Sequence, residues 1–442
     1  MTQGQQRTRR AAFTGLTSLV ARGSSTAVSL ISIPLTQHYL GAERFGLWLI
    51  LSMLLNWVSL ADLGLTSSLT NVLATANGDV RQAKQAVSSA FWLMVGIAII
   101  LSLVFAIAYP FIQWDRLFNV TSDQAKSEIG LVVIVFFVGF ILRLPLSIAG
   151  RIYTAYQEGY FYQAWAGLSN LLSVGTLLVA IQFRVGLPSL VAVFFGTALL
   201  GDGLATLHVF GWKWRSLRPQ WVEFSSKQAN WLLKTGLQFW VIQISSVLFF
   251  QTDLMVVAQL FGASAVANYG PILKLFTLLG AIQTAFLFPL WPAYGEAFSR
   301  GDVPWIISTF KRTIGLTLLW SLSTGTILSI SANRVLKFWL NETVTVNLIL
   351  AMFVMSVLMA LGHCIGTLLN GLGHIKSQVI FGLAAGVCNL ILSIGLGYLI
   401  GVSGVCWATA ICLLVFSLGA VGTHALIVLR EMKLEFQLND HG

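Results

Sequence analysis

The chain has 442 residues, of which 56% are hydrophobic and only 10% are charged, and its formal net charge is +10. Soluble domains average about 25% charged residues, so the composition excludes a soluble globular protein and predicts an integral membrane protein. The apolar runs, at about 20 residues each, are long enough to cross a bilayer as helices rather than as barrel strands. We therefore expect an all-α polytopic membrane protein.

Hydropathy predicts twelve membrane spans along the chain. The first span is too long for a signal-peptide core and is not followed by a small-residue cleavage site, so we expect it to be retained. The predicted spans lie near residues 12–38, 45–73, 86–112, 129–150, 160–183, 187–211, 231–261, 267–292, 307–331, 346–370, 376–400 and 402–429.

The basic residues are distributed unevenly over the connections between these spans. If the N-terminus is cytoplasmic, 16 basic residues fall in inside segments, six fall in outside segments, and the remaining four of the 26 lie in spans or at their ends. The outside group is Arg44, Arg116, Lys126, Arg184, Arg334 and Lys337. The positive-inside rule then places both termini in the cytoplasm. The net charge is explained by topology, and we expect no nucleic-acid binding.

The two halves of the sequence repeat each other. The tripeptide TGL occurs at 14–16, ahead of Gly41, and again at 235–237, ahead of Gly262. In a second match, "GLSNLL" at 167–172 resembles "GVCNLI" at 386–391. The two offsets agree, at 221 and 219 residues. We predict two six-helix lobes in a parallel pseudo-repeat, residues 1–218 and 219–442, around a central cavity. Parallel repeats with a substrate site between the halves are a recognised transporter architecture.

Six ionisable residues lie well inside the predicted spans and form the candidate substrate cavity. Each would oppose insertion by roughly 3 kcal/mol if it were unpaired near the bilayer centre, so we expect them to face water or each other. They are Arg22, Asp62, Arg143, Asp202, Asp253 and Lys274. Hydroxyl side chains follow the same helical faces in spans 1 and 2, which favours the wall of an aqueous path. The alternative is that these hydroxyls only pack helices together.

Depth along the helices suggests which of these charges are partners. Arg22 and Asp62 both lie roughly 15 Å from the cytoplasmic face at 1.5 Å per residue, so they could share one cavity. Arg143 and Asp202 could meet in the inner half of the first lobe, and Asp253 and Lys274 lie at similar depths in spans 7 and 8. Either these pairs are purely structural, or their cations contact the substrate.

Motifs for other classes of function are missing from the sequence. The four cysteines, Cys364, Cys388, Cys406 and Cys412, fall in apolar spans without a CxxC or Cys/His cluster, so disulfides and structural zinc are not expected. We find no phosphate-cradling glycine loop, metal-ligand spacing or catalytic triad. The sequence predicts a protein that is not an enzyme and has no cofactor and no metal site.

The phrase "YLGAERFGLWLILSMLLNWVSLADLGLTSSLTNVLA" at residues 39–74 resembles a turn and helix of the polysaccharide-export flippases in the multidrug/oligosaccharidyl-lipid/polysaccharide exporter superfamily. The "LG…FG.W" turn and the "DLGL" at 62–65 carry this resemblance, and the polar connections "YTAYQEGYFYQ" and "GTLLNGLGHIKSQ" also look like family connections. The span order and the twin lobes extend the resemblance over essentially the whole chain.

The resemblance implies a flippase for a lipid-pyrophosphate-linked oligosaccharide in the bacterial inner membrane, driven by alternating access and used in surface polysaccharide (O-antigen, lipopolysaccharide) biosynthesis. Arg22, Arg143 and Lys274 would then serve the diphosphate or acidic sugars, and the aspartates would balance these charges or couple to ions. The implied partners are the lipid-linked oligosaccharide, membrane lipids and glycan assembly proteins. Three cations against three anions argue against a highly acidic substrate.

Three alternatives remain open at the level of sequence. A drug or cation antiporter of the same superfamily would share the fold and the mechanism. A major-facilitator carrier also has twelve helices in two halves, but its basic-glycine loop between helices 2 and 3 is missing, since this loop reads "ANGDVRQAK". A membrane scaffold without a transport role would not need buried charges in both lobes.

Overall fold

The computed structural model of the chain describes residues 3–54, 58–75, 79–156, 158–250, 252–287 and 289–439. Within these ranges the regular secondary structure is helical and no strand occurs. The side chain of Arg22 is not among those described, so its predicted position beside Asp62 stays a prediction. The chain divides into two compact units, Met1–Gln243 and Ile244–Gly442.

The first unit contains the helices α1 to α8 and most of α9. They are α1 Gln3–Leu54, α2 Val58–Ala61, α3 Leu65–Thr75, α4 Val80–Ala108, α5 Trp114–Leu117, α6 Asp123–Ala155, α7 Gly159–Gln182, α8 Leu187–Leu207 and α9 Ser226–Phe250. A π-helical turn, His208–Lys213, continues α8, and short 3-10 turns follow at Arg215–Leu217 and Trp221–Glu223. These turns lead the chain from α8 to α9.

The second unit contains the end of α9 and eight further helices. They are α10 Asp253–Phe261, α11 Ala263–Leu287, α12 Leu290–Ser299, α13 Val303–Leu340, α14 Val346–Gly371, α15 Lys376–Ile400, α16 Val402–Cys412 and α17 Gly422–Asn439. A π-helical segment, Leu413–Val421, joins α16 to α17, so the helix continues from one to the other without a break.

Nine helices in the described part of the chain are long and apolar enough to cross a membrane. They correspond to predicted spans 3 to 6 and 8 to 12, so the chain is a multi-pass membrane protein. Spans 1 and 2 fall on α1 to α3, and span 7 falls on α9 and α10. The helical structure is interrupted in these regions. The layout is consistent with the predicted twelve spans, and spans 2 and 7 are each built from more than one helix.

Specific backbone features cause these interruptions. Gly41 kinks α1 with φ 73° and ψ 169°, a conformation that is essentially restricted to glycine. The residues Asp62, Leu63 and Gly64 separate α2 from α3, and Leu63 and Gly64 both have positive φ, at 50° and 72°. Helix α9 ends before Thr252, so Asp253 begins a new helix instead of continuing the old one.

The internal repeat is visible in the backbone of the two units. Gly262 has φ 87° and ψ 161°, which is nearly the conformation of its predicted counterpart Gly41. The aspartates Asp79 and Asp302 also cap equivalent helices, α4 and α13, by accepting hydrogen bonds from backbone amides of the first turn. The boundary between lobes at 218/219 stays a prediction. The compact units divide later, within α9, because the first part of α9 packs against α3.

Each unit has its own apolar core. In the first unit, α3, α4 and α6 pack through buried residues such as Leu69, Ala86 and Ile148. In the second unit, Ile306 and Leu368 are buried in the cluster that joins α13 to α14. Large side chains on the outer faces of these helices are exposed, for example Ile100 at 61% and Leu319 at 67%, as expected for helices whose other face meets lipid.

A polar clamp holds the turn after the α1 kink in place. The Glu43 carboxylate accepts hydrogen bonds from the backbone amide of Thr121 at 2.6 Å, from its hydroxyl at 2.9 Å, and from the amide of Ser122 at 3.1 Å. Partial burial raises the pKa of Glu43, but the hydrogen bonds from Ser122 and Thr121 outweigh that effect and lower it below its ordinary value. The clamp ties α1 to the start of α6.

Candidate functional site

An ion pair joins α6 and α8 inside the first unit, where the sequence predicted that Arg143 and Asp202 could meet. The Nε of Arg143 donates to Oδ2 of Asp202 at 2.7 Å. The hydroxyl of Tyr162, on α7, donates to the other carboxylate oxygen at 3.0 Å. Both oxygens of Asp202 are therefore occupied, and three helices contribute to one polar cluster.

The two charged side chains of this cluster differ in exposure. Asp202 is covered, with 8% of its side chain exposed, whereas Arg143 keeps 30% of its side chain exposed. The carboxylate therefore holds the guanidinium in position, and the guanidinium is the part that can meet a ligand. A planar guanidinium suits bidentate contact with a phosphate or carboxylate group.

A second arginine lies near this cluster. Arg151, two turns after Arg143 on α6, is close enough for its charge to act on both Tyr162 and Asp62. The cluster around Arg143 thus has a second cation in its electrostatic neighbourhood.

Asp62 also has a local structural role. Its Oδ1 accepts the backbone N–H of Gly64 at 2.7 Å, and its Oδ2 accepts the hydroxyl of Thr66 at 2.5 Å. The carboxylate therefore caps the N-terminus of α3, directly after the break. Asp62 is 3% exposed. The "DLGL" motif is consequently a helix break with its own cap, a role that the sequence analysis did not identify.

The break brings α3 against α9 at very short range. A Cβ atom placed on Gly64 would lie 2.1 Å from the carbonyl oxygen of Gly236, and one on Gly236 would lie 2.8 Å from that of Leu63. The indole Nε1 of Trp240 donates to the Leu60 carbonyl at 2.8 Å, beside this contact. Only glycine fits at these two positions without a shift of backbone.

Of the hydroxyl residues on the predicted faces of spans 1 and 2, the structure describes Ser32, Thr36, Thr66 and Thr70; Thr70 is half-buried and the other three are buried. Thr36 donates to the carbonyl of Ser32 at 2.7 Å, and both residues are buried. Thr66 is also buried and donates to Asp62. At these positions the hydroxyls bond within their own helix or to the turn before it. Thr14, Ser18, Ser25, Ser29 and Ser59 lie outside the described side chains, and there the aqueous path stays a prediction.

A different polar cluster surrounds Asp253 in the second unit. The hydroxyl of Thr409 lies 2.9 Å from Oδ2 of Asp253, and the Asn389 amide donates to Oδ1 at 3.3 Å. The hydroxyl of Tyr269 lies 3.5 Å from Oδ2, and that of Ser393 lies 3.3 Å from the amide oxygen of Asn389. Helices α10, α11, α15 and α16 all contribute. The cluster is nearly sealed, because Asp253 is 6% exposed and Asn389 is 0% exposed.

Among the described side chains, the carboxylate of Asp253 has no counter-charge. Lys274 was expected at a similar depth, but the structure shows no ion pair between Lys274 and Asp253, and no other described cation pairs with this carboxylate. A buried carboxylate among hydroxyl and amide groups is suited to accept a proton or a small monovalent cation.

Sequence reasoning found the charged members of both clusters and missed their neutral partners. Tyr162 stood in an aromatic run that is ordinary at a membrane interface, so nothing in the sequence singled it out. Asn389 did carry a signal, because it is the asparagine of the "GVCNLI" repeat. Thr409 carried no such signal in the sequence, because its role depends on α16 packing beside α15.

A family model described as polysaccharide biosynthesis protein matches residues 14–292 of the chain. Two curated relatives have names that provisionally assign them to O-antigen transport in Salmonella typhi and O-antigen export in Yersinia pseudotuberculosis. The first is 25% identical over 276 residues, which is 61% of this chain and 61% of the relative. The second is 24% identical over 298 residues, which is 62% of this chain and 63% of the relative. The matches therefore span less than two thirds of either relative.

Solved structures share the fold over nearly the whole chain. The lipid II flippase MurJ in an inward closed conformation has a TM-score of 0.74 at 14% identity, with 96% of this chain and 91% of that chain covered. An inward-facing multidrug resistance MATE transporter of the MOP superfamily has a TM-score of 0.72 at 15% identity, with 97% and 95% covered. At these identities the likeness concerns the fold alone.

Proposed function

The chain belongs to the polysaccharide biosynthesis protein family, and from that premise we propose that it is a flippase for a lipid-pyrophosphate-linked oligosaccharide. It would expose its binding region first to one side of the bacterial inner membrane and then to the other, by alternating access. The family match carries this proposal, and the transport functions in the names of the two relatives support it. The chain acts as a transporter and not as an enzyme.

The Arg143–Asp202 cluster supports an anionic group on the substrate. A diphosphate carries several acceptor oxygens, and a guanidinium positioned by a covered carboxylate can donate to two of them. Arg151 adds a second cation nearby, while Asp62 and Asp202 keep the total charge balanced. We propose Arg143 as the substrate contact of the first unit and Asp202 as the residue that positions it. In the same proposal, Arg22 and Lys274 contribute further positive charge.

The Asp253 cluster supports coupling of transport to an ion. Export against a gradient needs a driving force, and a buried carboxylate that takes up and releases a proton or a monovalent cation can provide the coupling. The oxygens of Asn389, Thr409 and Ser393 would share that ion. Asp253→Asn should therefore abolish the dependence of transport on the ion gradient while the helices still assemble.

The proposed topology has both termini in the cytoplasm. It rests on the 16-to-6 distribution of basic residues over the two sides. A cysteine at Ser264 should react with an impermeant thiol reagent only from outside the cell. A cysteine at Gln228 should react only from inside. The reverse labelling pattern would refute this orientation.

A cation antiporter is the second candidate function, and the uncompensated Asp253 is the observation that favours it. A buried acidic side chain is also what a transporter of organic cations needs. The two functions separate in a strain that lacks the gene. Loss of a flippase strands lipid-linked oligosaccharide on the cytoplasmic leaflet and removes a surface glycan, whereas loss of an antiporter raises sensitivity to cationic dyes with the glycan intact.

A further inference from the structure

A cavity of about 490 Å³ lies in the second unit between the first turns of α13 and the last turns of α17. Helix α13 contributes Ile307, Ser308 and Lys311 to its lining, and α17 contributes Lys433, Phe436 and Gln437. It is separate from the Asp253 cluster, whose residues belong to α10, α11, α15 and α16. The proposed flippase mechanism gives this cavity no role.

The lining combines positive charge with an apolar wall. The side chains of Lys311 and Lys433 are exposed, and neither has an acidic partner among the described side chains. The amide of Gln437 supplies further hydrogen-bond donors, while Ile307 and Phe436 provide an apolar surface. A ligand that satisfies this lining must present a negative group and a hydrocarbon part together.

The first unit shows what happens at the corresponding place. Helices α4 and α13 both begin at an aspartate cap, Asp79 and Asp302, and the residues nine positions later are Ser88 and Lys311. In the first unit, the segment after α8 covers this face of α4. The backbone amide of Gln220 donates to Ser88 at 3.2 Å.

The covering segment of the first unit also supplies a negative charge. The carboxylate of Glu223 lies 3.2 Å from the Nζ of Lys84, so the lysine on this face of α4 is neutralised by the chain itself. In the second unit, α17 instead continues as a helix to Asn439, and no described segment lies over the lysines of α13 and α17. The charge that the first unit supplies from its own chain has no counterpart among the described side chains of the second unit.

We propose that this cavity binds the phosphate headgroup of an anionic membrane phospholipid. Helices α13 and α17 both belong to membrane-spanning segments, and the cavity lies at their ends, where lipid headgroups are found. Trp305 is 37% exposed on the same turn of α13, as is common for tryptophan at a membrane interface. Lys311 and Lys433 bind the phosphate, and Phe436 with Ile307 contacts the upper part of an acyl chain. The occupant is a lipid of the surrounding bilayer, not soluble phosphate and not an acidic protein segment.

The test uses the purified full-length protein in nanodiscs and measures enrichment of phosphatidylglycerol over phosphatidylcholine by mass spectrometry of co-purified lipid. Each lysine near an anionic membrane surface contributes about 1 kcal/mol of binding free energy, so Lys311→Gln with Lys433→Gln should reduce the enrichment about 30-fold. Ser308→Trp keeps both lysines and fills the cavity, and it should reduce the enrichment as well. Lys311, Lys433 and Ser308 are all exposed, so these three substitutions leave the core untouched.

The matched control is Arg334→Gln with Lys337→Gln, which removes two exposed charges near the other end of α13. This control should keep the enrichment of the unmodified protein. Equal loss in the control and in the lysine variant would show that general surface charge attracts the lipid, and would overturn the proposal. Unchanged enrichment in the lysine variant, or competition by inorganic phosphate as strong as that by the lipid, would overturn it too. Unchanged enrichment in the lysine variant would leave an acidic protein segment as the occupant of the cavity.

Discussion

Breaking the Arg143–Asp202 pair separates a structural ion pair from a substrate contact. Asp202→Asn removes the charge that faces Arg143 across 2.7 Å but keeps an oxygen that can accept from Tyr162. Loss of one partner in a fully buried pair costs about 3–5 kcal/mol. Arg143 retains 30% exposure and can reach water, so we expect a lower cost, about 2 kcal/mol, and reduced abundance of folded protein.

The double variant Arg143→Gln with Asp202→Asn distinguishes a structural ion pair from a substrate contact. Since it leaves no unpaired charge, the folded abundance should return to nearly that of the unmodified protein. Transport should not return, because the substrate loses a charge-assisted hydrogen bond worth about 1.5–3 kcal/mol, which corresponds to roughly a 10- to 100-fold loss. Abundance is measured by fluorescence-detected size exclusion, and transport by the amount of surface glycan in a strain that lacks the gene.

A second ion pair of the first unit serves as the control. Arg44 and Glu128 lie 3.4 Å apart with 16% of each side chain exposed, and the proposal gives them no contact with substrate. Arg44→Gln with Glu128→Gln should preserve transport wherever the protein folds. If the Arg143 and Asp202 double variant transports at the normal rate, Arg143 is not a substrate residue and the site assigned to the first unit is wrong.

Three further perturbations have expected outcomes. Asp253→Asn should leave unfolding temperature within a few degrees of normal but abolish the response of transport to an imposed ion gradient; a retained response would exclude Asp253 from coupling. Gly236→Val should sharply reduce folded protein, because its side chain would collide with the backbone at Gly64, and normal yield would contradict that contact. Glu43→Gln should lower stability by about 1 kcal/mol at neutral pH, a charged hydrogen bond discounted for exposure. Because the folded pKa of Glu43 is lowered, this difference should shrink as the pH falls through that pKa, and thermal unfolding at pH 7 and pH 3 measures it.

The membrane class, the number of spans and the repeat were predictable because each depends on properties that sequence carries directly. Runs of apolar residues determine which segments enter a bilayer, and Gly41 and Gly262 are matched by an offset that any reader of the sequence can count. The Arg143–Asp202 pair was also predictable from depth. Two isolated opposite charges in adjacent helices of an apolar lobe have few other partners.

The helix breaks were not predictable from hydropathy. A window of about 20 residues averages over Asp62, Leu63 and Gly64, so a capped break resembles a continuous span. The consequence was a misreading of two aspartates. Asp62 caps α3 in addition to any role toward a ligand, and Asp253 starts a new helix and has its hydrogen-bond partners on α11, α15 and α16. Their partners depend on backbone geometry, which charge and spacing do not reveal.

Translocation of a lipid-linked oligosaccharide is the central claim, and reconstitution measures it most directly. The purified protein would be placed in vesicles that carry a lipid-pyrophosphate oligosaccharide on one leaflet, and the fraction accessible to an impermeant glycan-modifying enzyme on the other side would be followed over time. We expect accessible substrate to appear with the unmodified protein, and at least about tenfold more slowly with the Arg143 and Asp202 double variant. Substrate that stays on its original leaflet, with protein that is folded and supplied with an ion gradient of either direction, would contradict the account.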